Sequence, residues 1–189
     1  MTTLWKSMKA GMLSGSGNIG PWTVGEWRTH HGALAMCAYG FHASVRAIDA
    51  MRYVCCEILA LVEVGGKHLE QDDKQVWKKM RVVRAFKWEK PDSVALAIYA
   101  AELVIGNYEK EYPDDKRPRL AIEAAKAWLN DPTEENRVTT TITTIAWSAA
   151  RSAESAAWSA WSAAAAATDI LDKVEAWIQE RIKTLKEAT

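Results

Sequence analysis

The feature that most constrains this fold is a change of composition at residues 89–92 (EKPD). All glycines except Gly106 and all four histidines precede this point, whereas most of the alanines follow it. Glycine favours turns and alanine is the strongest helix former, so the change indicates two different architectures. We therefore predict an α+β fold in which residues 1–90 form a small mixed α/β domain and residues 91–189 form a bundle of about four helices.

The N-terminal part combines strand, helix and loop signals. The run CCEILALVEV (residues 55–64) is largely apolar and is followed by Gly65-Gly66, which predicts a strand that ends at these glycines. One or two further strands are predicted around KMRVVRAFKW (79–88), and a short helix is predicted within SVRAIDAMRYV (44–54). The sequence GSGNIGP (15–21) predicts a flexible loop because no phosphate-binding pattern follows it.

The C-terminal part shows apolar residues at helical spacing. Pro91 is expected to lie just outside the first helix, with Asp92 or Ser93 as its cap, and Pro118 is expected at the start of the second helix. The last helix should begin with Thr168 or Asp169 as its cap. The four predicted helices carry the sequences SVALAIYAAELVIGNYEKEY, RLAIEAAKAWLN, DPTEENR continuing through the Ala/Trp tract, and ATDILDKVEAWIQERIKTLKEAT.

The tract AWSAARSAESAAWSAWSAAAAAT (residues 146–168) is almost entirely Ala, Ser and Trp. On a helix, Trp147, Trp158 and Trp161 fall within about 60° of one another, with Arg151 about 40° from Trp147. Large side chains on one stripe and small ones elsewhere predict a packed bundle helix. A lipid-binding or partner-binding amphipathic face and a disordered tract remain open. A membrane span is not predicted, because the tract contains charges and many serines.

The overall composition excludes several classes of function. Lys+Arg and Asp+Glu both number 24, and this balance of charge argues against an acidic nucleic-acid mimic and against a nucleic-acid partner. Three cysteines without a CxxC pair, together with an N-terminus that lacks a signal-peptide pattern, predict reduced thiols and a cytoplasmic protein. Neither a metal site nor a cofactor is expected, because the usual motifs for them are missing from the sequence.

The segment HHGALAMCAYGFHASVRAIDAMRYV (residues 30–54) gathers histidines and tyrosines. It resembles the core of ADP-ribosyltransferase folds through His31-Gly32, Gly40-Phe41-His42 and Tyr53. The resemblance implies that the His-Gly pair holds a nicotinamide nucleotide, that the Tyr53 ring stacks on nicotinamide, and that a glutamate on a strand is catalytic. Glu63 is the candidate for that glutamate, although it comes earlier in the chain than the family pattern requires. The alternative is that these side chains pack within a small fold.

The sequence YPDDKRPRLAIEAAKAWL contains a cluster of charged residues at the start of a predicted helix. Arg117 and Arg119 are candidates for an anion-binding or partner-binding site, and the alternative is an interhelical salt-bridge cluster. Arg119 and Glu123 are four residues apart and can form an ion pair on one helix face.

The order of segments CAYGFHAS, AIDAMRYV, VEVGGK, RVVR and YEKEYPDDKRPRLAIEAAKAWL resembles a group of uncharacterised bacteriophage proteins. The stretch DDKRPRLAIEAAKAW with the Ala-rich helices after it is similar to an immunity-protein-like helical domain. The resemblance implies an accessory protein that binds a host factor.

We therefore predict a phage-type accessory protein, located in the host cytoplasm, that binds and inhibits a host protein without catalysis. A host-defence complex is one such partner. If that complex is of the CRISPR type, the protein would be an anti-CRISPR protein. The predicted binding residues are Arg117, Arg119, Trp147, Arg151, Trp158 and Trp161. Homo-oligomerisation is compatible with this hypothesis, because it would bury the same apolar surface. The alternatives are an ADP-ribosyltransferase-related enzyme that uses His31, His42, Tyr53 and Glu63, and a nucleotide- or anion-binding module.

Overall fold

The computed structural model describes residues 2–15, 20–54, 56–133 and 166–188. In these ranges the strands are β1 (Thr2–Met8), β2 (Arg28–Thr29), β3 (Phe41–Ala43), β4 (Ile58–Glu70) and β5 (Gln75–Lys87). The helices are α1 (Ala47–Met51), α2 (Lys90–Glu111), α3 (Arg117–Asn130) and α4 (Ala166–Ile182). An antiparallel sheet is followed by helices, which confirms the predicted α+β class. Contacts divide the chain into a sheet unit (residues 1–89 and 177–189) and a helical unit (residues 90–176).

The sheet unit is built on the long β4–β5 hairpin. The strand order is β1-β4-β5-β2, all neighbours are antiparallel, and β3 also pairs with β5. The backbone of Ser44, which follows β3, exchanges two hydrogen bonds of 2.8 Å with Trp5 of β1. The sheet therefore curls until β1 meets the end of β3, and its apolar face encloses the core.

Strand β4 does not end at the glycine pair, so that part of the prediction was wrong. The strand continues to Glu70, and its pairing with β5 shifts register between Gly65 and His68. Gly66 has a φ of 81°, a left-handed conformation that glycine adopts without strain. The two glycines therefore form a β-bulge inside one long strand rather than a turn after it. The sequence 79–88 belongs to a single strand, β5, which begins at Gln75.

The core of the sheet unit contains one buried amine among apolar side chains. Lys6 lies between Leu4 and Met8 in the alternating pattern of β1 and is only 9% exposed. Its Nζ donates a hydrogen bond of 3.1 Å to the carbonyl oxygen of His42. Burial lowers the pKa of Lys6 to about 8, because the low-dielectric interior disfavours the charged form. The apolar core around it includes Leu4, Met8, Trp22, Phe41, Val62, Trp77, Met80 and Val82.

The helical unit begins with the α2–α3 hairpin. Helix α2 starts at Lys90, so Pro91 lies in its first turn rather than outside it. Proline is tolerated there because the first N–H groups of a helix have no partner within the helix. Helix α3 has Pro118 in its first turn, as predicted. The two helices pack through Ile98 and Ile105 of α2 and Ile122 of α3.

Helix α4 (Ala166–Ile182) already contains Thr168 and Asp169, so the prediction that one of them caps it was wrong, and it ends earlier than predicted. Val174, Ile178 and Ile182 lie at helical spacing along α4 and are buried. The segment after it is not helical, because the N–H of Ala188 donates to the carbonyl oxygen of Ala85 and residue 186 pairs with residue 87. The chain end therefore extends the sheet beside the last residues of β5. In the described ranges, no helix is both long and apolar enough to cross a membrane.

Candidate functional site

The turn between α2 and α3 is fixed by the carboxylate of Asp115. Its oxygens accept hydrogen bonds from the Tyr108 hydroxyl (2.8 Å) and from Arg117 through Nε (2.8 Å), a terminal guanidinium nitrogen (2.6 Å) and the backbone N–H (3.1 Å). The hydrogen bonds from Arg117 and then Tyr108 hold the pKa of Asp115 well below its usual value. One carboxylate therefore joins the end of α2 to the first residue of α3.

Arg119 forms a second link between the two helices. Its Nε and a terminal nitrogen donate to the two carboxylate oxygens of Glu109 on α2, at 2.8 and 2.6 Å. This contact lowers the pKa of Glu109. The expected partner, Glu123, instead contacts Lys126, which also reaches Glu102 on α2 at 2.7 Å.

The two arginines therefore bind different carboxylates and are not brought together around one anion pocket. This arrangement matches the salt-bridge alternative for the cluster. The binding roles of Arg117 and Arg119 stay a prediction.

Two large apolar side chains are exposed next to these ion pairs. Tyr112 is 49% exposed and Leu120 is 65% exposed. The Tyr112 ring lies 4.9 Å from the ring of Tyr108, and its hydroxyl is hydrogen-bonded to Glu111, which raises the pKa of Tyr112. Tyrosine and arginine are enriched among the residues that dominate protein–protein binding energies. We call Tyr112, Arg117 and Leu120 the α2–α3 turn surface.

In the sheet unit, His42 holds the loop that carries Cys37. Its Nε2 accepts a hydrogen bond of 2.9 Å from the backbone N–H of Cys37, a residue with a φ of 63°. Burial, followed by the charges of Lys6 and Lys74, lowers the pKa of His42, against the opposing effect of a backbone hydrogen bond with Gly40. Because an acceptor nitrogen must be unprotonated, His42 is neutral in this arrangement.

Tyr53 lies in the same cluster as His42, connected to it through Lys74 and Cys37. The Lys74 ammonium lies 4.1 Å from the centre of the Tyr53 ring, and the Cys37 side chain raises the pKa of Lys74. The Tyr53 hydroxyl donates a hydrogen bond to Asp73. Burial and then Asp73 raise the pKa of Tyr53. The structure therefore brings His42 and Tyr53 into one polar cluster on the surface of the sheet unit.

Glu63 does not belong to that cluster. Both the Nε and a terminal nitrogen of Arg81 contact its carboxylate, at 2.7 and 2.6 Å. On β5, the residue paired with Glu63 is Arg81 and the residue paired with His42 is Val76. Five residues of extended strand separate these two positions, which corresponds to about 17 Å. The carboxylate that the ADP-ribosyltransferase resemblance requires is therefore far from His42.

The remaining predicted site residues are placed as follows. His31 is exposed in the segment between β2 and β3. Trp147, Arg151, Trp158 and Trp161 lie outside the described residues.

A polar pocket at the β4–β5 turn is lined by Arg52, Glu70, Gln71, Asp72 and Asp73, and by none of the predicted residues. In the ranges that the structure describes, no group of three or more His, Cys, Asp or Glu side chains is arranged to hold a metal ion.

Several residues of these clusters were missed by sequence reasoning. Lys6 could have been found, because it occupies the inward position between Leu4 and Met8 in an alternating strand pattern. Lys74 and Glu109 carried no such signal. Each acquires its role only through a partner that folding brings close, Cys37 for Lys74 and Arg119 for Glu109.

Comparison with known families separates the two regions. Residues 88–172 match the family model of an Imm-5 like putative immunity protein. Residues 2–91 match a domain of unknown function, DUF7666. Each match covers just under half of the chain. No curated protein and no solved structure matches the chain.

The immunity-protein match contains the whole α2–α3 hairpin and therefore the α2–α3 turn surface. The cluster of His42, Cys37, Lys74 and Tyr53 lies within the DUF7666 match, whose description carries no activity. The two candidate sites consequently belong to regions with different relatives. Only the immunity-type region has a family description that bears on function.

Proposed function

We propose that this protein is a non-catalytic binding protein of the immunity type, which inhibits a partner protein by holding it in a stoichiometric complex. The observation that carries the proposal is the match of residues 88–172 to the immunity-protein family model. An immunity protein protects a cell by blocking a harmful protein, so the partner would be a protein whose free activity damages the cell.

The α2–α3 turn surface supports this proposal as the contact region. Tyr112 and Leu120 are exposed apolar anchors, and Arg117 beside them is held by Asp115. Because hydrogen bonds to Asp115 already fix the turn, less conformational entropy would be lost on binding. A rigid surface with an aromatic anchor suits protein recognition better than catalysis.

The resemblance to bacteriophage proteins suggests a finer proposal for the partner. In this form the protein acts in the cytoplasm of a host cell and inhibits a host protein, such as a CRISPR-type defence complex. Trp147, Arg151, Trp158 and Trp161 would be further anchors for that partner. Self-association through the same anchors is an alternative that a measurement of molar mass can test.

The structure gives less support to the two alternatives from sequence. An ADP-ribosyltransferase-related enzyme would need a carboxylate beside His42 and Tyr53, whereas Glu63 is paired with Arg81. An anion-binding module would need uncommitted guanidinium groups, whereas Arg117 and Arg119 already contact Asp115 and Glu109. Neither alternative is proposed.

The test is a titration of a harmful protein with this chain. A panel of bacterial toxin domains and defence nucleases is co-expressed with the chain, and each one that loses its effect on cell growth is purified. Its activity is then measured against increasing amounts of the chain. A stoichiometric inhibitor stops the activity at a fixed molar ratio, whereas a catalytic one acts well below one equivalent.

Variants of the turn surface provide the control. Tyr112→Ala combined with Leu120→Ala should weaken inhibition by at least about tenfold, because central apolar anchors dominate binding. Tyr39→Ala is the matched control, since Tyr39 is 63% exposed but lies in the sheet unit. Equal inhibition by all variants would remove the turn surface from the proposal, and inactivation far below one equivalent would contradict the non-catalytic mechanism.

A further inference from the structure

The whole chain has a formal charge of zero, but its two units carry opposite charges. The sheet unit contains 15 basic and 10 acidic residues, a formal charge of +5, and the helical unit contains 9 basic and 14 acidic residues, a formal charge of −5. The argument against a nucleic-acid partner was based on the whole chain. It does not apply to the sheet unit taken by itself.

Part of the basic excess is concentrated at the β-bulge of β4. Lys79 of β5 pairs with Gly65 on one side and with Thr29 of β2 on the other, and it therefore lies in the middle of the sheet. Lys67 lies in the bulge itself, whereas Lys78, the residue before Lys79, belongs to the opposite face of the sheet, because successive side chains of a strand alternate. We call Gly65, Gly66, Lys67 and Lys79 the bulge patch. Within the described ranges, neither of its two ammonium groups forms an ion pair with a carboxylate, whereas the ammonium of Lys78 donates to the carbonyl oxygen of Gly32.

Gly65 is the residue of the bulge patch whose missing side chain is not required by packing. Gly66 needs its positive φ, but Gly65 does not have one. A Cβ atom placed on Gly65 would have no atom within 4 Å, so no neighbour excludes a side chain there. Glycine inside a strand is destabilising and is found at bulges and where a ligand approaches the backbone closely, and the open space at Gly65 leaves room for such an approach.

Flat aromatic rings lie on both sides of the lysines. The His68 ring is exposed and stacks on the Trp77 ring at 4.1 Å with an interplanar angle of 14°. Trp27, which precedes β2, is 36% exposed and lies 5.0 Å from the guanidinium of Arg81. Nucleic-acid bases stack on aromatic side chains, and lysines bind the phosphates between them.

We infer that the bulge patch binds single-stranded nucleic acid, with Lys67 and Lys79 contacting the phosphates and with Trp27 and His68 stacking on the bases. An open backbone at Gly65 allows the strand to lie against the sheet. A duplex is a poorer fit, because its bases are stacked inside and could not reach the two rings. This activity belongs to the sheet unit and does not depend on the partner that the helical unit inhibits.

The test is fluorescence anisotropy of the full chain with labelled oligo(U) and oligo(dT) of about 20 nucleotides at about 50 mM and about 200 mM salt. Two phosphate contacts predict a salt slope of about −1.4, so that affinity falls by roughly sevenfold between these concentrations. A duplex of the same length and poly-glutamate serve as the competing ligands. Binding of the duplex or of poly-glutamate at least as tightly as of the single strands would overturn the inference in favour of a general polyanion or acidic-protein site.

Matched variants locate the site. Lys67→Ala with Lys79→Ala should weaken binding by about tenfold or more and reduce the salt slope, because two phosphate contacts are lost. Lys87→Ala with Lys186→Ala removes the same charge from the same unit, and Lys87 lies eight residues further along β5, about 27 Å away. This control should bind as the unaltered chain does. Equal losses in the two double variants would overturn the inference.

Gly65→Ala separates ligand approach from folding. We expect the thermal midpoint to stay the same or rise, because the methyl group meets no atom and alanine restricts the unfolded chain. Binding of oligo(U) should nevertheless weaken by several-fold. Unchanged binding by Gly65→Ala, or no binding of any oligonucleotide by the unaltered chain at the lower salt concentration, would overturn the inference. Neither result depends on the inhibition assay of the helical unit.

Discussion

The sheet unit and the helical unit stabilise their ionisable groups in opposite ways. The sheet unit buries an amine, Lys6, and keeps His42 partly buried and neutral within a hydrogen-bonded loop. The helical unit places its ion pairs at the surface, where Asp115 contacts Arg117 and Glu109 contacts Arg119. Burial of a charge costs free energy, whereas a surface ion pair contributes little and is screened by salt. The two units should therefore respond differently to truncation and to pH.

The units also differ in how far apart in sequence their contacts lie. Strand β1 pairs with β4 through positions such as Thr2 and Val64, and β3 pairs with β5 through Phe41 and Trp77. The ion pair between Glu109 and Arg119 joins residues only ten positions apart. Long loops must close before the sheet unit gains its contacts, so its stability depends more strongly on its core.

The largest predicted effect is the loss of a core side chain in the sheet unit. Met80→Ala should reduce the free energy of unfolding by about 2–5 kcal/mol, because Met80 is fully buried and its removal leaves a cavity. Ile105→Ala in α2 should cost less, since Ile105 keeps 9% of its surface exposed. Hydrogen exchange of peptides from each unit measures the two losses separately. A greater loss from Ile105→Ala would contradict the ranking of the two cores.

Lys6 gives the second prediction, a dependence of stability on alkaline pH. Its pKa is about 8 in the folded protein and 10.5 when exposed, so the unfolded chain binds more protons between these values. The stability of the sheet unit should therefore rise as the pH increases from about 8 to about 10.5, by at most about 3 kcal/mol. Lys6→Met should remove this rise and increase stability at neutral pH, because a neutral side chain of similar length replaces a buried charge.

Chemical denaturation at several pH values measures the effect of Lys6. Lys9→Met is the matched control, because Lys9 follows β1 and is exposed. This control should keep the alkaline rise that Lys6→Met loses. An identical pH profile for Lys6→Met and the unaltered chain would show that Lys6 is not buried as the structure describes.

The α+β class could be predicted because it depends on residue types. The helix formers after residue 90 and the β-branched runs of β4 and β5 indicate their secondary structure locally, without knowledge of the residues that they contact in the fold. The conformation of Gly65-Gly66 could not be predicted, because a glycine pair is compatible with both a turn and a β-bulge. Only the pairing with β5, which depends on residues up to Lys87, selects the bulge.

The candidate sites show the same limit. The charges around Arg117 and Arg119 were evident in the sequence, but the choice between Glu109 and Glu123 for Arg119 depends on how α2 packs against α3. The resemblance grouped His42, Tyr53 and Glu63 by their order in the chain. Strand register then placed Glu63 about 17 Å from the position of His42, a separation that sequence order cannot give.

The smallest predicted effect concerns the helical unit and the acidic side of the pH range. Hydrogen bonds from Arg117 and Tyr108 hold the pKa of Asp115 well below its usual value, so the unfolded chain takes up its proton first as the pH falls. The stabilisation from Asp115 is therefore present above about pH 4 and is lost as the pH falls below it. Glu109 adds to the same trend through Arg119.

Asp115→Asn tests the acidic trend. The amide cannot form the ion pair, so we expect faster hydrogen exchange in the α2–α3 turn at neutral pH and a weaker dependence on acid than in the unaltered chain. The loss should be smaller than that from Ile105→Ala, because Arg117 is largely exposed and solvent screens the pair. Asp114→Asn changes the neighbouring exposed carboxylate and should leave exchange unaltered. Equal effects of Asp114→Asn and Asp115→Asn would mean that the net charge of the turn, rather than the contacts of Asp115, controls its order. The contrast between a buried amine in the sheet unit and specific surface ion pairs in the helical unit would then no longer hold.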